Sequence, residues 1–356
     1  MFAPRLKTLN VRPSLAALCD YLDLALDGRT DVPWSKNCQG PPDHSRSRRQ
    51  PPAAWGIYRM RNGAIWIIIR GGLGNQMFQV AMGTALAVRF GLCAKYVDLI
   101  AVDDVNRKPE LDCFKTRKWE LDCFGISAQR LPGWANTAFR LLLSAQRRLG
   151  PTALGHLPGV WIEDHDSTRP FARTDTPRIV IGYWQKPQFF EDVEYAVRKQ
   201  FCFPDLPEGR ELSPAVQWRP KVAIHVRRGD YADTLASRQL RLVCGPDWYR
   251  AAWQEMRNRL GPCHAFVFSD DVHWVKKEIN FDGALDYMDF DPSEDAWVDM
   301  ATMSSCDHFI ISNSSYSWWA AFLSTSACKV VIAPRLWYGR CDTARAGICP
   351  SSWLLL

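Results

Sequence analysis

The feature that most constrains the fold is a set of short, unbroken apolar runs, each followed by a turn or a helix-like segment. The first run, Ala64–Ile69, leads through a loop with three glycines into a helix predicted from Gln76 to about Phe90, closed by Gly91. The later runs are Ile179–Tyr183, Val222–Val226, Ala265–Phe268, His308–Ile311 and Val330–Ile332, and helix-like segments include Asp247–Leu260 and Trp318–Leu323. Apolar runs without alternation are typical of parallel strands covered on both faces, so the pattern predicts an α/β chain with doubly wound sheets.

The chain is long enough for two such domains, since it has 356 residues of which 47% are hydrophobic. A segment with four prolines, 201–220, is predicted to be the linker between them. The predicted parts are a 1–60 extension, an N-terminal domain over 61–200, the 201–220 linker and a C-terminal domain over 221–356. The extension contains a tract rich in Pro, Arg, Ser and Lys, Pro33–Pro52, and residues 1–59 are hypothesised to be dispensable for the fold.

Charge and cysteine content exclude several classes of protein. The 44 basic and 38 acidic residues give a net charge of +6, which is too diffuse to indicate nucleic-acid binding. The 12 cysteines show no close CxxC spacing, so they are interpreted as mostly buried, reduced thiols of a cytoplasmic protein. No apolar run of membrane-spanning length and no signal-peptide pattern is found.

The stretch from Lys221 to Tyr231 delivers His225, Arg227, Arg228 and Asp230 at the end of a predicted strand. Guanidinium groups fixed beside a strand end are suited to holding a diphosphate. The alternative is a surface salt bridge between Arg228 and Asp230 that closes the turn.

Two predicted helix starts follow strands and carry polar groups. The glycine loop before the first helix indicates that a ligand or a neighbouring strand comes close to the backbone and that the helix N-terminus is exposed. Asn75 is the side chain in this loop that can both donate and accept hydrogen bonds. The alternative is a tight turn with a capping Asn. The second start has a run of small polar residues that includes Ser314 and Ser315, which predicts an anion site; a plain Ser cap is the alternative.

A further strand end carries two adjacent carboxylates, Asp270 and Asp271. Either could accept hydrogen bonds from sugar hydroxyls, or cap the next helix. A metal site is not expected here, because adjacent carboxylates on a strand end diverge and no third ligand is evident. Tryptophans near turns, Trp184, Trp318, Trp319 and Trp337, are interpreted as core residues or as platforms for sugars.

Taken together, these motifs resemble the α-1,2-fucosyltransferases of glycosyltransferase family 11. The resemblance covers residues 64 to about 338, in seven blocks: GGLGNQMFQVA (71–81), LDCFGI (121–126), IGYWQKPQFF (181–190), HVRRGDY (225–231), FVFSDD followed by Trp274 (266–274), MSSCDHFIISNSSYSWWAAFL (303–323) and IAPRLWY (332–338). It implies a GT-B fold, in which two Rossmann-like domains face each other across a cleft. The implied reaction is inverting, metal-independent transfer of L-fucose from GDP-β-L-fucose to the 2-hydroxyl of a terminal galactose.

The resemblance also implies roles for individual residues. Arg227 would grip the β-phosphate, with Arg228 in support and His225 contacting the nucleotide. Asp299 looks like the carboxylate that reads guanine in related enzymes, and Ser314 and Ser315 would complete the phosphate site. Asp230 is the first candidate for the general base, with His225 as an alternative and Asn75 as an orienting group.

Alternatives remain open for activity and partners. The chain could use another GDP-sugar or linkage, or be a catalytically silent glycan or nucleotide binder. The resemblance implies a bacterial, cytoplasmic enzyme without a cofactor or metal, acting on a galactose-terminated glycan. Residues 127–160, with Arg140, Arg147 and Arg148, are interpreted as an ordinary packed helix or as an amphipathic surface for a lipid-linked acceptor at the inner membrane.

Overall fold

The computed structural model describes residues 63–100, 117–149, 157–163, 176–212, 219–228, 244–288, 296–338 and 341–356. The predicted extension, residues 1–60, therefore lies outside the described residues. The strands are β1 (Ala64–Ile69), β2 (Cys93–Asp98), β3 (Val160–Ile162), β4 (Ile179–Ile181), β5 (Lys221–Val226), β6 (His264–Ser269), β7 (Ala284–Met288), β8 (His308–Ile310), β9 (Val331–Ala333), β10 (Leu336–Tyr338), β11 (Cys341–Asp342) and β12 (Leu354–Leu355). The helices are α1 (Leu73–Phe90), α2 (Gly133–Leu149), α3 (Glu194–Gln200), α4 (Pro246–Leu260), α5 (Val272–Glu278), α6 (Ala296–Ser304), α7 (Ser315–Leu323) and α8 (Thr343–Ala346). Short 3₁₀ turns lie at Leu121–Phe124, Pro187–Phe189 and Glu191–Val193.

The N-terminal sheet has the order β2-β1-β4-β3, with parallel pairing throughout. Its central strand β1 is buried along its whole length, which explains the unbroken apolar sequence. One face of β1, including Ile67, packs in the core with α1, and the other, including Trp66, packs with Phe139 of α2. This sheet is thus covered on both sides by helices, as predicted.

The C-terminal sheet has the order β12-β9-β8-β5-β6-β7, again with parallel pairing. The chain builds outward from β5 in one direction through β6 and β7, then returns to β8 and builds in the other direction. This is the strand order of a doubly wound Rossmann sheet. Helices α4 and α5 pack on one face, and α6 and α7 pack on the other. The prediction of α/β, Rossmann-like sheets is confirmed.

The two sheets are joined by contact between α1 and α7. A Cβ added at Gly74 would come within 2.5 Å of the Ser315 backbone carbon, so glycine allows the two helix starts to touch. The Trp319 indole N–H donates to the Gly74 carbonyl at 2.9 Å. Phe78 packs against Trp318 and Trp319, with ring centroids 4.6 and 4.9 Å away. One hydrophobic core therefore extends from the N-terminal sheet into the C-terminal one.

The tryptophans considered as sugar platforms are buried. Trp318 and Trp319 have no exposed surface, and Trp184 and Trp337 are 5% and 1% exposed. They belong to the hydrophobic core, so the core interpretation is the right one.

Candidate functional site

The candidate site lies at the carboxyl edge of the C-terminal sheet, where the strand order reverses between β5 and β8. In doubly wound sheets, the crevice at such a switch point is where ligands bind. His225 stands near the end of β5, and Ser312 follows β8. The His225 Nδ1 and Ser312 Oγ atoms share a hydrogen bond of 2.9 Å across this crevice. The predicted residue His225 therefore lies at the switch point itself.

His225 is an uncharged residue in this setting. Burial, together with the charge of Arg227, lowers its pKa from 6.5 to about 3. Its ring also packs against Tyr316, with centroids 5.6 Å apart. A neutral imidazole offers one donor and one acceptor, so His225 contributes hydrogen bonds to the site rather than positive charge.

Arg227 and Arg228 follow β5 and share one carboxylate. Arg227 Nη1 forms an ion pair with Asp270 Oδ2 at 2.8 Å, and the Arg228 backbone N–H donates to Asp270 Oδ1 at 2.8 Å. The Arg228 guanidinium lies over the ring of Trp274, 3.7 Å from its centroid. Asp270 thus orients Arg227 and fixes the backbone that follows β5. Asp230, the predicted base and the alternative partner of Arg228, lies outside the described residues.

The two adjacent carboxylates after β6 have different roles. Asp271 is the N-cap of α5, and its side chain accepts a hydrogen bond from the Trp274 backbone N–H at 2.9 Å. Asp270 is the arginine partner instead. The capping interpretation is therefore correct for Asp271 and wrong for Asp270.

The polar run before α7 does more than cap a helix. Ser314 is the N-cap, and its hydroxyl accepts from the Tyr316 N–H at 3.3 Å. The Ser315 hydroxyl donates to Asn75 Oδ1 at 2.7 Å, and Asn313 Nδ2 donates to the Trp337 carbonyl at 2.7 Å. The structure therefore brings Asn75 of the N-terminal part onto the start of α7.

Asp299 and Tyr316 lie beside this helix start. Asp299 is in the first turn of α6 and is buried, with 8% of its surface exposed. The Tyr316 hydroxyl donates to the Ala296 carbonyl at 2.5 Å. Burial raises the pKa of Tyr316 well above 10, and the charge of Asp299 raises it further, while Arg227 lowers it. The charges of the two predicted residues Asp299 and Arg227 therefore both shift the pKa of the Tyr316 hydroxyl.

The start of α1 differs from the prediction of an exposed helix N-terminus. The Leu73 N–H donates to Glu120 Oε2 at 2.8 Å, so a carboxylate of the chain itself covers this helix end. Gln76 donates to the Gly71 and Lys118 carbonyls at 2.9 and 2.8 Å and accepts from the Glu120 N–H at 3.0 Å. The prediction was wrong because nothing near the glycine loop in sequence revealed Glu120. The start of α7 is the better candidate for a ligand.

Sequence reasoning also missed Ser312, Tyr316 and Glu120. Ser312 and Tyr316 lie in the polar run after β8, so the run itself was the signal.

Within the described residues, no three His, Cys, Asp or Glu side chains are placed to hold a metal ion. Over the same part of the chain, no helix is long and apolar enough to cross a membrane. Among the cysteines whose side chains the structure describes, Cys93, Cys202 and Cys328 are exposed, which differs from the expectation of mostly buried thiols.

Comparisons with known proteins place this site in a family. The model of glycosyl transferase family 11 matches residues 176–353, half of the chain. An α-1,2-colitosyltransferase from Escherichia coli is 31% identical over 176 residues, which cover 49% of this chain and 61% of that protein. Galactoside α-(1,2)-fucosyltransferase 1 from Alouatta caraya is 28% identical over 198 residues, which cover 52% of this chain and 53% of that protein.

Solved structures give a more distant likeness. The crystal structure of fucosyltransferase NodZ from Bradyrhizobium has 14% identity and a TM-score of 0.40, covering 73% of this chain and 93% of that chain. This chain spans less than two thirds of the length of the curated relatives that it matches. The matched region contains β5, β6 and β8 with their strand-end residues, and by this match the chain belongs to glycosyl transferase family 11.

Proposed function

We propose that this protein is a galactoside 2-α-L-fucosyltransferase, which transfers L-fucose from GDP-β-L-fucose to the 2-hydroxyl of a terminal galactose with inversion and without a metal. Family membership and relatives named as α-1,2-transferases support this proposal. The observation that carries it is the group of His225, Arg227 and the α7 start at the switch point of the C-terminal sheet.

The donor diphosphate would lie between Arg227 and the N-terminus of α7. A guanidinium and helix N–H groups both stabilise phosphate charge, which increases on the GDP leaving group as the glycosidic bond breaks. Arg228, His225, Ser314 and Ser315 would supply further hydrogen bonds. Asp270 has a supporting role in this proposal, because it holds the Arg227 guanidinium in place.

The guanine base would be read by Asp299. A carboxylate suits guanine because its N1–H and N2–H₂ groups offer adjacent donors. Asp299 is buried, and its charge and that of Arg227 both act on Tyr316, so a guanine reader at Asp299 would lie close to the proposed phosphate site. Asn75 would reach the donor from the N-terminal side, beside Ser315.

The acceptor hydroxyl must lose a proton as the new bond forms. A general base works best when its pKa is near the working pH, and the pKa of His225 is about 3, so His225 is a weak base. Within this proposal the role therefore falls to Asp230. Asp230→Asn should then lower kcat while leaving the affinity for GDP unchanged.

Transfer of colitose is the second candidate function, since the relative matched at 31% identity is named an α-1,2-colitosyltransferase. Colitose is the 3-deoxy analogue of L-fucose, so the two donors differ at a single hydroxyl. Comparing kcat/KM for GDP-fucose and GDP-colitose on one acceptor separates the two proposals.

The decisive experiment incubates the purified protein with GDP-fucose and galactose-terminated acceptors in the presence of EDTA. Formation of an α-1,2-linked product is expected; an enzyme that neither fucosylates any acceptor nor hydrolyses GDP-fucose would contradict the proposal. Arg227→Ala should abolish turnover, whereas Arg259→Ala, which removes an arginine paired with Glu255 on the surface of α4, should not. If the wild type shows no turnover and the Arg227→Ala variant still binds glycan, the protein would be a silent binder instead.

The acceptor could be lipid-linked, which would bring the enzyme to a membrane surface. Helix α2 packs Ala135, Phe139 and Leu143 against the N-terminal sheet, so the interpretation as a packed helix is correct. Its other side exposes 43% of Trp134 and 65% of Leu141, and no Asp or Glu occurs in α2. Flotation with anionic vesicles tests this contact, and a protein that stays entirely in the soluble fraction would exclude it.

A further inference from the structure

A second group of buried polar contacts surrounds the turn after β4, at the carboxyl edge of the N-terminal sheet. Trp184 in this turn has a φ of 57°, in the left-handed region, and its side chain is buried. Large L-residues rarely adopt this conformation, and they keep it when the surrounding structure holds them there. The contacts that hold the turn in this conformation therefore bear on its function.

Glu163, directly after β3, supplies the main contact. Its Oε2 atom accepts from the Tyr183 N–H at 2.6 Å and its Oε1 atom accepts from the Trp184 N–H at 3.0 Å. A Cβ added at Gly182 would meet the Glu163 Cβ at 2.4 Å, so glycine is what allows this close approach. Glu163 is only 8% exposed. One buried carboxylate thus fixes two consecutive amides with charge-assisted hydrogen bonds.

The same turn is linked to the start of α7. Gln185 Nε2 donates to Asn75 Oδ1 at 2.6 Å, and the Ser315 hydroxyl donates to the same oxygen at 2.7 Å. The turn is therefore two hydrogen bonds away from the proposed phosphate site. Within it, Tyr183 and Gln185 are partly exposed, whereas Trp184 is buried. The Arg70 guanidinium lies 5.1 Å from the Tyr183 ring centroid.

We propose that residues 183–185 form the acceptor-contacting wall of the active site and that Glu163 is the positioning residue that holds this wall. An aromatic ring and a neighbouring amide are suited to a hexose, since the ring packs on the apolar face of the sugar and the amide bonds its hydroxyls. The substrate class is a galactose-terminated glycan, and the assignment rests on the function proposed above. Glu163 acts through Tyr183 and Trp184 and does not itself touch substrate.

The test uses Glu163→Gln and Tyr183→Ala, with lactose as the galactose-terminated probe. The Gln side chain places an NH₂ group against a backbone N–H, so the turn loses one of its two hydrogen bonds. Each variant should raise the KM for lactose about tenfold or more, with kcat changed much less. GDP affinity, measured by calorimetry, should stay within about twofold, because the wall is on the acceptor side. Tyr183→Phe should behave like the wild type, and Tyr195→Ala removes a tyrosine that is 75% exposed on α3 as a matched control.

Outcomes separate this inference from the proposed function. Saturation-transfer NMR on lactose in the presence of GDP measures acceptor binding directly, whether or not transfer occurs. Lactose binding without any transfer contradicts the proposed function, and the variants then test the wall through binding alone. A wild type that does not bind lactose overturns the wall, as does a Tyr183→Ala variant with unchanged lactose KM or binding. Tyr183→Ala also decides the case if Glu163→Gln fails to fold.

Discussion

The buried, neutral state of His225 predicts a specific loss of stability in acid. Its pKa is about 3 in the folded protein and 6.5 in the unfolded chain. Between these values the unfolded chain binds the proton more readily, so the free energy of unfolding falls as the pH falls. At about 1.36 kcal/mol per pKa unit, moving from pH 7 to pH 4.5 should remove about 2.5 kcal/mol through His225 alone.

The assay is urea unfolding followed by tryptophan fluorescence at pH 7.0 and pH 4.5, on wild type and His225→Asn. Asn keeps a polar group near Ser312 but does not titrate in this range. The variant should therefore lose about 2.5 kcal/mol less than the wild type over the same pH change. His273→Asn, which removes an exposed histidine on α5, should keep the wild-type pH dependence.

An equal loss of stability in wild type and His225→Asn would refute this reasoning. It would mean that the imidazole is hydrated or paired with an anion in the folded protein. In that case His225 would also be available as a cation for the donor diphosphate, and the proposed division of roles with Arg227 would change.

Three further predictions concern other contacts of the described residues. Gly74→Ala should destabilise the protein by about 1–3 kcal/mol, seen as a lower melting temperature, because the new methyl group meets the backbone of α7. Gly133→Ala is the control, since a methyl group there would have no atom within 4 Å and should leave the melting temperature unchanged. Asp270→Asn should weaken GDP binding roughly tenfold in calorimetry, because Arg227 loses its ionic partner; unchanged affinity would contradict the orienting role. Burial lowers the pKa of Lys329 from 10.5 to about 8, so stability should rise between pH 7.5 and pH 9, and Lys329→Met should remove this rise in thermal unfolding.

The sequence predicted the inner strands of both sheets and missed the outer ones. The predicted runs correspond to β1, β4, β5, β6, β8 and β9. In these two sheets the missed strands are β2 and β3 at the edges of the N-terminal sheet, and β7 and β12 at the edges of the C-terminal sheet; the separate β10–β11 pair was missed as well. The edge strands β2 and β7 carry mixed polarity, as in Cys93–Asp98, so they lack a continuous apolar signal. The edge strands β3 and β12 are apolar, but with three and two residues they are too short to give a run.

The sequence also predicted which polar residues lie together at the candidate site, but not the contacts between them. His225, Arg227 and Ser314 were found because polar residues at the carboxyl ends of parallel strands meet at one edge of a sheet. The bond between Asn75 and Ser315 joins residues 240 positions apart, and only the packing of α1 on α7 creates it. The same holds for Glu120 at the start of α1, since no local pattern pairs it with Leu73.

The contact between α1 and α7 has a consequence for protein engineering. Because Gly74, Phe78, Trp318 and Trp319 are parts of one core, each half of the protein supplies half of a shape-matched joint. A chimera that takes its N-terminal half from one family member and its C-terminal half from another must match both sides of that joint to fold. The loop after β1 and the segment after β4 are part of the same constraint, because Gly74 follows the first and Phe190, whose ring stacks on Trp319, lies in the second.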